Sequence, residues 1–205
     1  ARLYSIANFM RYERPQRGRE REFWQLNADL FGVDGAAADA EIIELSHTSV
    51  MNFGAKQEMF TVRVNNRQLI NRLMSQFLKL DIVGSTMMMK LLDRKNKITA
   101  EEFKRQAIEI FGSQAAEGLP KLAKMISMKS VDDLPSELME DESVKQLREV
   151  MKLLSQKGIT NAVFDVTLMR GLDYYTGMVF ELFDNSPENN RALFGGGRYD
   201  GLVGL

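Results

Sequence analysis

The sequence predicts an α+β fold in which antiparallel β-strands at both ends of the chain enclose an inserted all-helical domain. Stretches near both ends alternate apolar and polar residues, as half-buried strands do. The middle of the chain instead repeats apolar residues at spacings of three and four, which is typical of amphipathic helices. With 205 residues and 44% hydrophobic content, the chain is large enough for one domain with a smaller one inserted into it.

Composition narrows the class of protein. The chain has no cysteine, which excludes disulfides, thiolate catalysis and cysteine-based zinc sites. Its net charge of −1 argues against coating nucleic acid by bulk electrostatics, so any affinity for RNA would have to be local. Without a long apolar run or a leader pattern, we expect no membrane association and a cytoplasmic location. Because the chain begins at Ala1 within a strand pattern, we expect it to be an excerpt of a longer protein.

The first predicted element is a β-hairpin. The outgoing strand, residues 3–13, places Tyr4, Ile6, Met10 and Tyr12 on one side. The return strand separates an apolar set from a largely polar set, and we expect the apolar set to be buried, which would fix the register. The apolar set is Trp24, Leu26, Ala28 and Leu30, and the opposite set is Arg21, Phe23, Gln25, Asn27 and Asp29.

The loop of this hairpin is rich in arginine, with five arginines in residues 11–21. Guanidinium groups bind phosphate oxygens in a bidentate manner, so a loop of this kind over a pocket suits a polyphosphate. Phe23 on the polar face would be covered well by a purine ring, and Glu13 could accept a hydrogen bond from an exocyclic amine. The alternative is a solvated turn in which glutamates of the loop neutralise the arginines.

The following elements are predicted in order. A helix over 36–53 precedes a strand over 59–65. Helical patterns then cover 69–77, 103–111, 119–126 and 144–154, with loops containing Gly84, Gly112, Pro120 and Pro135 between them. We therefore divide the chain into residues 1–67, the first part of a β-rich core, residues 68–142, a helical insertion, and residues 143–205, the second part of the core.

Several residues in the middle of the chain favour structural roles. His47, the only histidine, is expected to be half-exposed on its helix, and it lacks the partner spacing of a metal site. Met87, Met88 and Met89 are expected to fill the core of the insertion, with a mobile RNA-contact surface as the alternative. Thr99 with Glu102 predicts a capping box at a helix start, after a solvated charged turn.

A second hairpin is predicted from the alternation over 162–168 and 178–182. Arg170, at the end of the first of these strands, could stabilise charge that develops on a phosphoryl or acyl-phosphate group, or it could form a surface ion pair with Asp173. The three glycines 195–197 allow close approach of the backbone to a ligand or another strand, although a bulge or tight turn is also consistent with them.

Three segments together resemble one family. Residues 10–19 with Phe23-Trp24-Gln25 are similar to motif 2 of class II aminoacyl-tRNA synthetases in its histidyl form. Residues 170–177, RGLDYYTG, and residues 195–202, GGGRYDGL, resemble the two histidine-specific signatures of the histidyl-tRNA synthetases, in the same order. The resemblance implies a six-stranded antiparallel class II sheet flanked by helices. It also implies ATP-dependent formation of histidyl-adenylate and transfer of histidine to tRNA(His).

The resemblance also assigns roles to matching residues. Arg11 and Arg170 would be catalytic at the α-phosphate, with Arg11 also holding the substrate carboxylate. ATP would be bound by Arg11, Glu13, Arg19 and Phe23, and histidine by Arg11, Gln25, Asp29, Arg170, Tyr174, Tyr175 and Tyr199. ATP would enter with Mg²⁺ as a co-substrate, with no tightly bound cofactor and no protein metal site. The helical insertion would contact the tRNA acceptor stem, and the full-length protein would be a homodimer.

Motif 1, the Thr-x-Glu loop, motif 3 and an anticodon-binding domain are missing, so we expect an incomplete catalytic domain that does not turn over alone. Two other functions stay open. One is a histidine-sensing regulatory paralogue, similar to the regulatory subunit of ATP phosphoribosyltransferase. The other is an RNA-binding fragment built on the inserted helices.

Overall fold

The computed structural model describes residues 1–12, 14–15, 20–169, 174–189 and 191–204. In these ranges six strands form two sheets, a two-stranded sheet at the start of the chain and a four-stranded sheet in the order β4-β3-β5-β6. Six helices accompany them. The predicted α+β class is confirmed, but the strands do not form one continuous antiparallel sheet.

The two-stranded sheet is the predicted hairpin, formed by β1 (Arg2–Met10) and β2 (Glu22–Leu30). Its antiparallel register pairs Ile6 with Leu26 and Asn8 with Trp24, so the apolar residues of both strands share one face. That face is exposed: Trp24 retains 73% and Ile6 63% of its accessible surface. The expectation that the apolar set is buried is therefore wrong for the described residues, because neither α1 nor the larger sheet covers this side.

Helix α1 (Ala36–Asn52) follows the hairpin. Ala40, Ile43 and His47 recur at spacings of three and four and form its buried stripe. His47 is only 6% exposed and packs its ring against Phe60 with centroids 5.2 Å apart, so the expectation of a half-exposed histidine is wrong. Burial lowers the pKa of His47, which keeps the ring neutral at physiological pH.

The four-stranded sheet is built around β3 (Phe60–Asn66). Strand β4 (Ala162–Phe164) runs parallel to β3 on one edge, and β5 (Met178–Asp184) runs antiparallel to β3 on the other. Strand β6 (Ala192–Gly197) pairs with β5. The predicted second hairpin is thus wrong, because β3 lies between its two strands, and the first of them is only three residues long.

Helices occupy most of the chain between β3 and β4. They are α2 (Arg67–Arg72), continued by a π-helical turn (Leu73–Phe77), then α3 (Ile82–Asp93), α4 (Ala100–Phe111), α5 (Ala115–Ser127) and α6 (Glu142–Gln156). The predicted helical patterns are present, and α3 was missed. Gly84, expected in a loop, lies in the first turn of α3, where its N–H donates to the capping Asp81. Pro120, also expected in a loop, lies inside α5.

The turn before α4 agrees in part with the predicted capping box. The Thr99 hydroxyl accepts a hydrogen bond from the Glu102 N–H at 3.2 Å. The Glu102 carboxylate instead binds Arg105 and Gln106, so the reciprocal half of the box is replaced by side-chain contacts. Within the run Met87-Met88-Met89, Met88 is buried in the core as expected, whereas Met87 is exposed.

One continuous core joins the helices to the larger sheet. The side chains of Phe60, Val62 and Val64 on β3 and of Phe180 and Leu182 on β5 point into it, together with the buried stripes of α1 and α6. The opposite face of the sheet is left for the cleft described below. Among the described residues, no helix combines the length and apolar character needed to cross a membrane.

Candidate active site

A cleft of about 2970 Å³ lies between the polar face of the hairpin and the uncovered face of the four-stranded sheet. Ten residues were predicted for the site, and Glu13, Arg19 and Arg170 among them lie outside the described residues. The other seven all line this one cleft: Arg11, Phe23, Gln25, Asp29, Tyr174, Tyr175 and Tyr199. Segments separated by more than 140 positions in sequence therefore meet around a common space.

The hairpin supplies an aromatic and cationic wall to the cleft. The guanidinium carbon of Arg11 lies 3.8 Å from the centroid of the Phe23 ring, a cation–π contact, and Phe9 stacks on the same ring with centroids 6.2 Å apart. The Arg11 N–H donates to the Arg21 carbonyl at 2.8 Å, which extends the hairpin pairing past the end of β1. A guanidinium group stacked on a flat ring thus lines the cleft.

Farther along β2 the same face is polar. The Gln25 amide donates to the Asn27 side-chain oxygen, and Asp29 follows two residues on. Because side chains on one face of a strand recur every second residue, Phe23, Gln25 and Asp29 form one row. The row changes from aromatic at the loop end of the hairpin to acidic at its base, which suits an elongated ligand with chemically different ends.

A tyrosine cluster forms the other side of the cleft. The Tyr174 ring lies 4.7 Å from that of Tyr175 and 5.5 Å from that of Tyr199, measured between centroids. The Tyr199 hydroxyl donates to Asp29 Oδ1 at 2.9 Å. This hydrogen bond connects the GGGRYDGL segment, residues 195–202, to the hairpin. Burial and this hydrogen bond raise the pKa of Tyr199 to about 12. Tyr199 is therefore a neutral donor at physiological pH.

The three glycines 195–197 let β6 approach β5 and the tyrosines closely. A Cβ at Gly195 would lie 2.2 Å from the Phe180 carbonyl oxygen, and one at Gly197 would lie 2.6 Å from the Tyr175 ring. No side chain fits at either position without movement of backbone or ring. Of the two interpretations left open by the sequence, close approach to another strand is the one observed, and no tight turn forms here.

The sheet also contributes residues that the sequence analysis missed. Arg63 on β3 lies in the cleft, where it pairs with Asp165 at 3.1 Å and stacks over Phe183 at 4.2 Å from the ring centroid. The available signal was its position between Val62 and Val64, since a charged residue that alternates with buried valines must face the opposite side of the sheet.

Buried Asn65 fixes the segment that leads toward the first histidine-specific signature. Its side-chain amide donates to the carbonyl oxygens of Val166 and Leu168, at 3.2 and 3.3 Å. Asp165 accepts hydrogen bonds from the Thr167 N–H and hydroxyl and so forms a compact turn in the same segment. The chain immediately before Arg170 is thereby held against the end of β3.

Two solved structures share the fold of this chain. The crystal structure of histidyl-tRNA synthetase from Nostoc sp. PCC 7120 matches 99% of this chain with a TM-score of 0.79 at 24% sequence identity, and the match covers 48% of that chain. A structure from Bacillus halodurans C, described as an ATP phosphoribosyltransferase regulatory subunit/histidyl-tRNA synthetase, matches with a TM-score of 0.78 at 23% identity, over 99% of this chain and 52% of that one.

Comparison of sequences identifies the family, which similarity of fold alone does not. The family model described as histidyl-tRNA synthetase matches residues 1–204, so this chain belongs to the histidyl-tRNA synthetase family. Histidine–tRNA ligase of Leptospira biflexa is 37% identical over all of this chain and 47% of its own length. That of Picrophilus torridus is 38% identical over all of this chain and 48% of its own length. The chain thus spans about half the length of these curated relatives.

Proposed function

We propose that the protein containing this chain is a histidine–tRNA ligase, which activates L-histidine with ATP to histidyl-adenylate and transfers it to tRNA(His). The observation that carries the proposal is the hydrogen bond from Tyr199 to Asp29, because it joins a histidine-specific signature to the motif 2 hairpin across one cleft. Family membership supports the same reaction. We further propose that ATP enters with Mg²⁺, and that the full-length protein is a cytoplasmic homodimer.

The row of side chains on β2 suggests how the two substrates would be arranged. Adenine would stack at the Phe23 end, where an aromatic face already accepts a flat cation, and Glu13 would accept from its amine. The amino and carboxylate groups of histidine would lie toward Gln25 and Asp29, with the imidazole among the tyrosines. Arg11 would then lie between the two, beside the α-phosphate, with Arg19 on the outer phosphates.

Two arginines would stabilise the transition state. Adenylate formation places negative charge on a pentavalent phosphorus, and preorganised cations lower the barrier by stabilising that charge. We assign this role to Arg11 and Arg170. The expected consequence for Arg170→Ala in the full-length enzyme is a much larger loss of adenylation rate than of histidine affinity, and equal losses would show that the residue acts in ground-state binding only.

The primary experiment is histidine-dependent exchange of pyrophosphate into ATP by the full-length protein. We expect exchange that requires histidine and is followed by charging of tRNA(His). The matched control is Lys152→Arg, a substitution in an exposed ion pair on α6 that should leave the rate unchanged. Histidine binding without exchange would favour a histidine-sensing regulatory paralogue and overturn the proposal.

We also propose the division into two core parts, residues 1–67 and 143–205, and a tRNA-contacting insertion, residues 68–142. Lys95 and Lys97, in the turn after α3, line the same cleft as the tyrosines, which supports contact with the acceptor end of a tRNA. Reversing both charges (Lys95→Glu with Lys97→Glu) should weaken tRNA charging and leave pyrophosphate exchange unchanged. Lys152→Glu on α6 provides the matched control. Unchanged charging in the double variant would reject a role for this turn.

A further inference from the structure

Arg198 lies between the glycines of β6 and Tyr199 and lines the cleft, and its guanidinium group contacts residues at the start of α1. Nε and Nη2 contact Asp39 Oδ1 at 3.0 and 2.8 Å, and Nη2 also donates to the Gly35 carbonyl at 3.1 Å. Nη1 contacts Asp34 at 3.1 Å and Asp200 at 3.5 Å. Four hydrogen bonds and the further ion-pair contact of Nη2 with Asp39 thus engage the guanidinium group. Arg198 is held by acceptors of the protein itself.

The main partner of Arg198 is buried. The Asp39 residue is 4% exposed and the Arg198 side chain 12%, whereas the Asp34 side chain is almost fully in solvent. Burial raises the pKa of the Asp39 carboxyl, and the contacts with Arg198 and Gln146 oppose that rise by stabilising the charged form. Asp39 Oδ2 accepts from the Gln146 amide of α6 at 2.9 Å. A line of contacts thus runs from α6 through α1 to the residue next to Tyr199.

The backbone around Arg198 is held by hydrogen bonds as well. Its N–H donates to the Met178 carbonyl, and its own carbonyl accepts from the Thr176 N–H, both at 2.8 Å. The Thr176 hydroxyl in turn donates to Asp200 at 2.8 Å and accepts from the Asp200 N–H at 3.0 Å. These contacts hold the main chain on both sides of Tyr199, and the anchored Arg198 side chain adds a further constraint on the same segment.

We infer that Arg198, anchored by Asp39, which Gln146 holds in turn, is a positioning residue that sets the Tyr199 hydroxyl on Asp29 and thereby shapes the histidine pocket. This inference rests on the proposed function for its substrate, but its structural part concerns residues of this chain alone. Arg198 acts through Tyr199, so its loss should affect histidine and spare ATP, whose predicted ring contact, Phe23, lies at the other end of the cleft.

Arg198→Lys in the full-length protein is the first test. Lysine keeps the charge but lacks the fork of donors that contacts Asp39 and Gly35 together. We expect the KM for histidine to rise about tenfold or more while the KM for ATP stays within about twofold of wild type. Gln146→Met, which removes one neutral donor to Asp39, should shift the histidine KM in the same direction by about threefold. Lys152→Arg again serves as the matched control.

A double-mutant cycle separates positioning from general destabilisation. In a Tyr199→Phe background the hydroxyl is gone, so Arg198→Lys should change the histidine KM by no more than about twofold. Additive effects of the two substitutions, or equal losses in the histidine and ATP KM values, would overturn the inference. The melting temperature of each variant, measured alongside, shows whether a loss accompanies partial unfolding.

A ligand-free measurement keeps the inference testable whatever the enzyme does. The chain has five tyrosines, and the ¹³C-tyrosine NMR signal of Tyr199 is identified as the one that Tyr199→Phe removes. We expect Arg198→Lys to lower the titration midpoint of this signal toward that of an ordinary tyrosine, and Lys152→Arg to leave it unchanged. An unchanged midpoint in Arg198→Lys would reject the inference. Failure of pyrophosphate exchange in the wild type would reject the proposed function alone.

Discussion

The hairpin β1–β2 and the pair β3–β5 are both antiparallel and both alternate apolar with polar residues, but they use that alternation differently. On one face of β3 and β5 the apolar side chains, among them Val64 and Phe180, are fully buried in the core with the helices. On the hairpin the corresponding side chains, among them Ile6 and Trp24, are exposed. Both pairs nevertheless turn their polar face to the same cleft. What the two regions have in common is therefore that the polar face of each lines the cleft.

The largest effect should come from removing an aromatic ring on each region in turn. Phe180→Ala leaves a cavity under α1 and α6 and should lower the free energy of unfolding by about 3–5 kcal/mol. Trp24→Ala removes an even larger but exposed ring and should change it by about 0.5 kcal/mol or less. Urea denaturation of the 205-residue chain measures both. Equal losses would show that the hairpin face is covered in solution, and the contrast would disappear.

A smaller effect is expected from adding one methyl group where β6 meets β5. Gly195→Ala forces a Cβ against backbone atoms, the Phe180 carbonyl oxygen and the Glu181 Cα, which cannot move aside as a flexible side chain can. We expect a loss of about 1–3 kcal/mol. Gly201→Ala is the matched control, since a Cβ there meets nothing within 4 Å. A melting temperature that Gly195→Ala leaves unchanged would contradict the close approach of β6 to β5.

Two asparagines provide a comparison of polar residues. Asn65→Ala in the larger sheet leaves the buried carbonyls of Val166 and Leu168 without their donor and should cost about 1–3 kcal/mol. Asn8→Ala on the exposed hairpin face should cost about 0.5 kcal/mol or less. Chemical denaturation of both variants measures the two losses of unfolding free energy. If Asn65→Ala were as mild as Asn8→Ala, the segment before Arg170 would not depend on this anchor.

The smallest effect concerns the hydrogen bond that links the two regions. The pKa of Tyr199 is raised in the folded chain, so the folded state keeps this proton while the unfolded chain releases it near pH 10. Stability from Tyr199 is therefore fully present below about pH 10 and is lost as the pH rises to about 12.

Asp29→Asn removes the acceptor charge and should lower the Tyr199 midpoint and weaken this alkaline loss. Tyrosinate absorbance followed against pH, with Tyr199→Phe as reference, measures the midpoint. A midpoint that does not respond to Asp29→Asn would show that burial alone raises the pKa, and that the two regions are not coupled through this contact.

Local patterns predicted much of this fold. The strands β1, β2, β3 and β5 and the helices α1, α4, α5 and α6 follow from periodicity, because period two and period 3.6 each place one set of side chains on one face. Helix α3 was missed because Gly84 suggests a break, whereas here it follows the capping Asp81 at the helix start. The second hairpin was mistaken because sequence neighbours pair often, and only the tertiary fold inserts β3 between them.

Site residues that belong to a local sequence motif could be predicted from the sequence. Contacts between residues that are distant in sequence could not. Phe23, Asp29 and Tyr199 were singled out from their segments and line one cleft. Arg63 was missed although its alternation with two buried valines was a local sign. The anchoring of Arg198 by Asp39 was missed because residues 159 positions apart carry no local sign of their contact.

The sequence by itself determined which residues alternate, where helices start, and that arginine, tyrosine and glycine stand in the order of the histidyl-tRNA synthetase motifs. These properties depend on near neighbours and on residue type. Tertiary structure decided which face of each strand is covered, that β4 pairs with β3, and that Tyr199 reaches Asp29. Such outcomes depend on the mutual packing of distant segments, since the free energy of burying a face is realised only when another element covers it.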